Sequence, residues 1–233
     1  MNINFRDLKD SLLHLLFPHT CEGCGVELPP NANLLCIRCL HSMPSTSFEL
    51  FPGNPIEKRF YGRLPLQHAM AGYYFTKDSL MQHLIHQVKY KGNKELGLQL
   101  GQLLGDSLKR AGRFDADMMI PLPLFPIREK KRGYNQSALL CEGITKHLNI
   151  PFVQNALIRP AHTDTQTKKG RIDRWKNIEG KFLLTDPAVI AGKHILLVDD
   201  VITTGATLES CGEELLKAGN VLLSLAVLCY STR

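Results

Sequence analysis

The 233-residue sequence has no apolar run approaching the roughly 20 residues that cross a bilayer. Its first residues carry Asp7 and Asp10, and no basic stretch precedes an apolar one, so no secretory signal is evident. Both absences point to the cytoplasm, where cysteines stay reduced. The seven cysteines are therefore expected to be thiols or metal ligands rather than disulfides. Neither a G-x4-G-K-[ST] loop nor a Rossmann glycine turn occurs, which excludes the commonest nucleotide cradles. Internal repeats and low-complexity tracts are also missing. The net charge of +6 fits a polyanionic partner, but by itself it does not imply nucleic-acid binding.

Apolar residues make up 44% of the chain and charged residues 21%, as in ordinary globular proteins. The length suits one domain plus a small module. Residues 5–16 place Phe5, Leu8, Leu12, Leu15 and Leu16 on one helical face, stopped by Pro18. A cysteine-rich knot spans 20–41. Residues 42–65 are rich in Pro, Ser and Gly and are expected to form a linker, with the boundary near residue 60: a module at 1–60 and a domain at 61–233. Beyond it, strands are expected at 69–75, 116–120, 152–158, 181–184, 194–199 and 221–229. Helices are expected at 79–91, 94–110, 136–148 with Asn135 as N-cap, and 206–218 closed by Gly219. Strands alternating with helices predict an α/β fold, a mostly parallel sheet with helices on both faces.

Cys21 and Cys24 form one C-x2-C pair, Cys36 and Cys39 a second, with eleven residues between them. Each such turn aims two thiolates at one ion, and two turns complete a tetrahedron. A structural zinc site in a zinc-ribbon-like module is expected, because four thiolates leave no open coordination position. His19 and His41 flank the knot as bystanders. Cys141, Cys211 and Cys229 stand singly and are expected to be packed apolar thiols.

His194 to Val198 is a mostly apolar run followed at once by Asp199 and Asp200. At the C-terminal edge of a parallel strand, carboxylates can accept hydrogen bonds from sugar hydroxyls or orient waters on Mg2+. Thr203, Thr204, Gly205, Ala206 and Thr207 then open a helix, offering backbone N–H groups, hydroxyls and the positive end of a helix dipole to a monophosphate. The run from Leu196 to Thr207 resembles the PRPP-binding signature of type I phosphoribosyltransferases. That resemblance implies that Asp199 and Asp200 meet the ribose hydroxyls and that residues 203–207 hold the 5-phosphate. Strand alternation, however, sends the two acids to opposite faces.

Three more segments fall around this run. Pro121-Leu122-Pro123 follows an apolar strand, as a rigid turn or a pyrophosphate loop. The basic run Lys130-Lys131-Arg132-Gly133-Tyr134-Asn135-Gln136 is either a solvated turn or a pyrophosphate contact. Residues 159–177, with Lys168, Arg171, Arg174 and Trp175, are expected to be a mobile basic loop, either closing over an anion or a surface insertion.

Four-cysteine knot, Lys89-Tyr90-Lys91-Gly92, P-x-P, R-G-[FY]-N-Q, T-x2-Q-x7-R-x2-N and the PRPP signature follow in an order that resembles the ComF family over nearly the whole chain. Tyr134, Lys131 and Lys169 depart from the commoner residues of that pattern. The resemblance implies a type I phosphoribosyltransferase fold behind the zinc module, binding PRPP or a related phosphorylated sugar with Mg2+ and displacing pyrophosphate at ribose C1. Arg128, Lys131 and Arg132 are candidates for the pyrophosphate, and Lys168, Arg171 and Arg174 for a closing loop. The glutaminase apparatus of true amidophosphoribosyltransferases is not evident. A second expectation, also from the family, is single-stranded DNA binding within the competence machinery. In that case basic loops guide the strand, and Tyr134 and Trp175 stack or simply pack. A third is a PRPP sensor without turnover.

Overall fold

A computed structural model describes residues 18–29, 32–160 and 182–232. Its centre is a four-stranded, all-parallel sheet in the order β1-β6-β5-β2. The strands are β1 (His68–Phe75), β2 (Met118–Pro121), β5 (His194–Ile202) and β6 (Leu222–Ser231). A separate antiparallel pair joins β3 (Leu157–Ile158) and β4 (Leu183–Leu184). The helices are α1 (Ile37–Ser42), α2 (Pro55–Arg59), α3 (Leu80–Tyr90), α4 (Lys94–Ala111), α5 (Pro126–Arg132), α6 (Gln136–Thr145) and α7 (Ala206–Leu216).

β5 and β6 are buried almost throughout, which suits their near-continuous Ile, Leu, Val and Ala runs in a sheet covered on both faces. α4 and α6 meet so closely that glycine is required at the crossing. A Cβ on Gly143 would lie 2.2 Å from the Leu98 carbonyl oxygen, and one on Gly101 2.5 Å from that of Leu140. The Gly97, Gly101, Gly105 stripe of α4 thus fixes α6, whose first turn faces the end of β5.

Several expected elements differ. Residues 42–65 are not a plain linker. They hold a 3-10 turn (Phe48–Leu50) and α2, and both lie on β1. Asn54 explains this: its Oδ1 accepts from the amides of Ile56 and Glu57, and its buried Nδ2 donates to the carbonyls of Phe48, Phe51 and Ala69. The strand expected over 152–158 survives only as a single bridge of Phe152 to Met119 and as the two residues of β3. Pro121, expected to follow the strand, is the last residue of β2. Its missing N–H faces the outer side of β2, where pairing has already stopped after Val153, so no ladder bond is lost. The expected helix over 5–16 and most of the 159–177 loop lie outside the described residues. No described helix is long and apolar enough to cross a membrane.

Candidate phosphoribosyl site and metal centre

β2 stops pairing with β5 at Pro121 and Val198, whereas β6 stays paired with β5 to Ile202. From Asp199 onward, one edge of β5 is therefore free. This is the crevice beyond the strand ends where open α/β sheets place ligands. Asp199 and Asp200 are both 7% exposed and take different partners. Asp199 Oδ1 accepts from Ser137 Oγ at 3.1 Å, at the start of α6. Asp200 Oδ2 is 2.6 Å from Lys89 Nζ, near the end of α3. Burial first, and then the neighbouring Asp200 charge, push the Asp199 carboxyl up to about 7.

Asn135 places Ser137: its Oδ1 caps α6 at the Ser137 amide, and its Nδ2 donates to the Leu122 carbonyl at 3.0 Å. It is thus the N-cap that the sequence suggested, and it also joins α6 to the loop after β2.

The chain then turns through Thr203 and Thr204 into Gly205, whose φ of 84° is left-handed. Thr203, Thr204, Ala206 and Thr207 are exposed. Only Gly205 is buried, and a Cβ there would approach Phe60 Cζ to 3.0 Å. A helix of eleven residues follows, with its free amides directed at the turn.

The basic residues assemble beside the acids. Lys89, Tyr90, Lys91, Gly92, Arg128, Lys131 and Arg132 line one open cleft of about 620 Å3. Within the basic run 130–136, Lys130 to Arg132 end a helix, α5 (Pro126–Arg132), rather than forming a turn. Pro126 occupies its first turn, Gly133 closes it at φ 81°, and Lys130, Lys131 and Arg132 sit in the last turn, where the helix dipole favours cations. Arg132 donates to Gln136 Oε1, and Tyr134 donates its hydroxyl to the Val88 carbonyl. Tyr134 therefore ties α3 to the start of α6. Arg159, at the near end of the 159–177 segment, stacks over Phe125 with its guanidinium carbon 3.3 Å from the ring centroid. Lys168, Arg171 and Arg174 lie outside the described residues.

Lys89 is the site residue whose role its sequence context did not disclose. The Lys89-Tyr90-Lys91-Gly92 motif marks its position, but the carboxylate it meets is far along the chain.

The four cysteines converge. Their Sγ atoms all lie within 4.8 Å of one another, and Cys24 and Cys36 are 3.7 Å apart. Ligands about 2.3 Å from a tetrahedral zinc are about 3.8 Å apart, so the donor set fits a metal of that kind. Burial alone would raise the Cys21 thiol, but amide donation from Cys36, Cys24 and Gly23 prevails and lowers it to about 6. Burial and the neighbouring sulfurs push Cys39 strongly up. Thiolates this crowded need a shared counter-ion, and four soft donors suit a metal ion. His19 and His41 are not in the cluster. Cys141, Cys211 and Cys229 are buried, and burial raises all three thiols, as expected for packing residues.

Residues 135–233 match the phosphoribosyl transferase domain family. The chain is 33% identical over 213 residues to the DNA utilization protein YhgH of Shigella flexneri, covering 90% of this chain and 83% of that one. It is 31% identical over 208 residues to competence protein F of Haemophilus influenzae, covering 87% and 80%. Among solved structures, the glutamine PRPP amidotransferase from B. subtilis aligns with a TM-score of 0.41 and 18% identity, over 61% of this chain and 30% of that one. Four clustered cysteines, a parallel sheet carrying the phosphoribosyl transferase domain, and relatives matched over most of their length lead to one assignment: the chain belongs to the ComF family.

Proposed function

We propose that the crevice at the end of β5 binds PRPP with Mg2+ and transfers its phosphoribosyl group to an acceptor. The observation that carries this reading is the juxtaposition of two buried carboxylates with an uncharged Thr-Thr-Gly-Ala-Thr turn, exposed except at Gly205, that opens α7 within a matched phosphoribosyl transferase domain. In this reading Asp199 and Asp200 accept hydrogen bonds from the ribose hydroxyls and hold the ring in place. Residues Thr203 to Thr207 receive the 5-phosphate on free amides and hydroxyls. Arg128, Lys131 and Arg132 face the pyrophosphate across the cleft.

Lys89 offsets the charge of Asp200, whereas burial and that neighbouring charge leave the Asp199 carboxyl raised, which suits a divalent cation and hydroxyl donors. When bound, Mg2+ offsets charge on the departing pyrophosphate. The residues themselves contribute position and field: the two carboxylates stabilise positive charge developing at C1, and the cleft cations hold the leaving group in line. Cys21, Cys24, Cys36 and Cys39 hold a structural zinc in this proposal, in a module ahead of the pocket-bearing domain.

The test is thermal melting. PRPP with Mg2+ raises the melting temperature of the wild type, and Asp200→Asn, measured against its own ligand-free melt, loses the rise. A wild type indifferent to PRPP would overturn the reading.

A second reading has support from the relatives named for DNA utilization and competence, and from the basic cleft. Single-stranded DNA would track the Lys89 to Arg132 cations, with affinity falling steeply with salt. A flat salt response removes it.

A further inference from the structure

We propose that Arg59 is the fixed cation of the phosphate loop, and that the adjacent Arg63–Glu209 pair keeps the potential at that loop positive. The proposal rests on the reading of residues 203–207 as a 5-phosphate cradle.

That cradle has no cation of its own. Thr203 to Thr207 are uncharged, and the one charged residue in the first turn of α7 is Glu209, an acid. A carboxylate there favours the bare helix dipole but opposes a bound phosphate. The chain answers from more than a hundred residues upstream, outside the matched transferase domain. Asn54 caps α2 and pins it to β1, and Ile56 and Phe60 are fully buried, so α2 cannot drift. Its last residue, Arg59, donates Nη1 to the Thr203 carbonyl and Nη2 to the Tyr230 hydroxyl at 3.0 Å, with its guanidinium 5.2 Å from the Tyr230 ring centroid. Its Nε is buried and has no hydrogen-bond partner among the described residues. No carboxylate of a described residue pairs with it. A positive charge therefore rests, uncompensated, against the turn that would receive a phosphate. Contact is close: a Cβ on Gly205 would lie 3.4 Å from Arg59 Cδ and 3.0 Å from Phe60 Cζ.

One turn on, Arg63 meets Glu209 with both prongs, Nε to Oε1 at 2.8 Å and Nη2 to Oε2. The pair cancels the one charge in the first turn of α7 that would repel the ligand. Arg63 thus neutralises, and Arg59 adds. Neither residue is needed to fold the loop as a turn, since Gly205 and the helix supply that geometry. Arg59 acts on binding through charge and through its hold on Thr203.

Calorimetric titration of the full chain with ribose 5-phosphate tests this. Arg59→Gln, which keeps an amide donor but drops the charge, weakens binding by roughly ten-fold or more. Arg59→Lys, which keeps the charge, retains most of the affinity. Arg63→Ala weakens binding by exposing the Glu209 carboxylate, and adding Glu209→Gln to it restores affinity. Wild-type affinity in Arg59→Gln overturns the proposal. Equal loss in Arg59→Gln and Arg59→Lys assigns Arg59 to packing and overturns it as well. Failure of Glu209→Gln to rescue Arg63→Ala overturns the part given to the ion pair. A wild type that does not bind ribose 5-phosphate at all instead overturns the reading of the loop, and that result is visible before any variant is made.

Discussion

The cysteine module and the β5 crevice are both sites of clustered, ionisable side chains, yet they are held in opposite ways. Among the described residues before 42, the buried hydrophobic side chains are Cys21, Leu28, Leu35 and Cys39, two of them candidate ligands. With so few described side chains in its core, the module depends on its ion if it holds the proposed zinc. It docks on α3, where His83 Nε2 lies 3.0 Å from the Glu22 carbonyl and Gln87 Nε2 donates to it at 2.7 Å. The crevice is instead imposed by β5 and β6, which are buried almost throughout. In the proposed reading one cluster is made by its ligand, whereas the other is made by the sheet.

Removing the metal tests this contrast most strongly. In modules of this type about 10 kcal/mol of metal-binding free energy is folding free energy. Chelation, or Cys39→Ser, is expected to unfold residues 18–42 while the sheet persists, seen as proteolytic cutting confined to the module together with loss of bound zinc. If chelation also removes the PRPP response, α3 transmits the state of the module to Lys89, and the two regions are less separate than their cores suggest.

Next in size is Lys89→Met. It leaves Asp200 buried without its partner, which costs about 3 kcal/mol in urea denaturation. Adding Asp200→Asn to that variant recovers most of the loss. An unchanged Lys89→Met midpoint would show that the pair contributes little.

A smaller effect concerns pH. The Asp199 carboxyl sits at about 7 in the folded chain, above its ordinary value of 3.8. The folded state therefore holds the proton more tightly than the unfolded one. Asp199 contributes stability that is full below about pH 4 and is lost as pH rises through 7. The melting temperature of ligand-free protein should fall over that window, and Asp199→Asn should flatten the profile. With Mg2+ and PRPP the slope should lessen or reverse, because the ligand selects the ionised form. The cysteine module predicts the contrary trend, since metal binding weakens as thiolates gain protons at low pH.

The smallest expected change is Asn135→Ala. Loss of the α6 cap and of the bond to Leu122 costs about 1 kcal/mol, read from the thermal midpoint. Because Asn135 sets Ser137 against Asp199, it should weaken PRPP binding more than an equally destabilising substitution on the exposed face of α4.

Much of this molecule was legible locally. Cysteine spacing predicts a cluster because two C-x2-C turns leave the sulfurs few other arrangements. The apolar run into Asp199 and Asp200, followed by Thr203 to Thr207, predicts strand, turn and helix in the order found. Periodicity failed where short elements are held by distant partners. Residues 55–59 carry too little pattern to be read as a helix, yet Asn54 and the face of β1 make them one. The basic run at 130–132 resembled a surface turn, because nothing local shows that Pro126 and Gly133 bracket a helix.

By itself, the sequence determined which groups could do chemistry: four thiols, two adjacent acids, a phosphate-sized turn. Only the tertiary structure decided how they are charged and what they touch. Lys89 neutralises Asp200, Ser137 meets Asp199, and Arg59 reaches Thr203 across 144 positions of sequence. The physical reason is range. Spacing and propensity act over a few residues, whereas the field at a buried carboxylate or a phosphate turn is set by whatever the fold brings within about 4 Å of it.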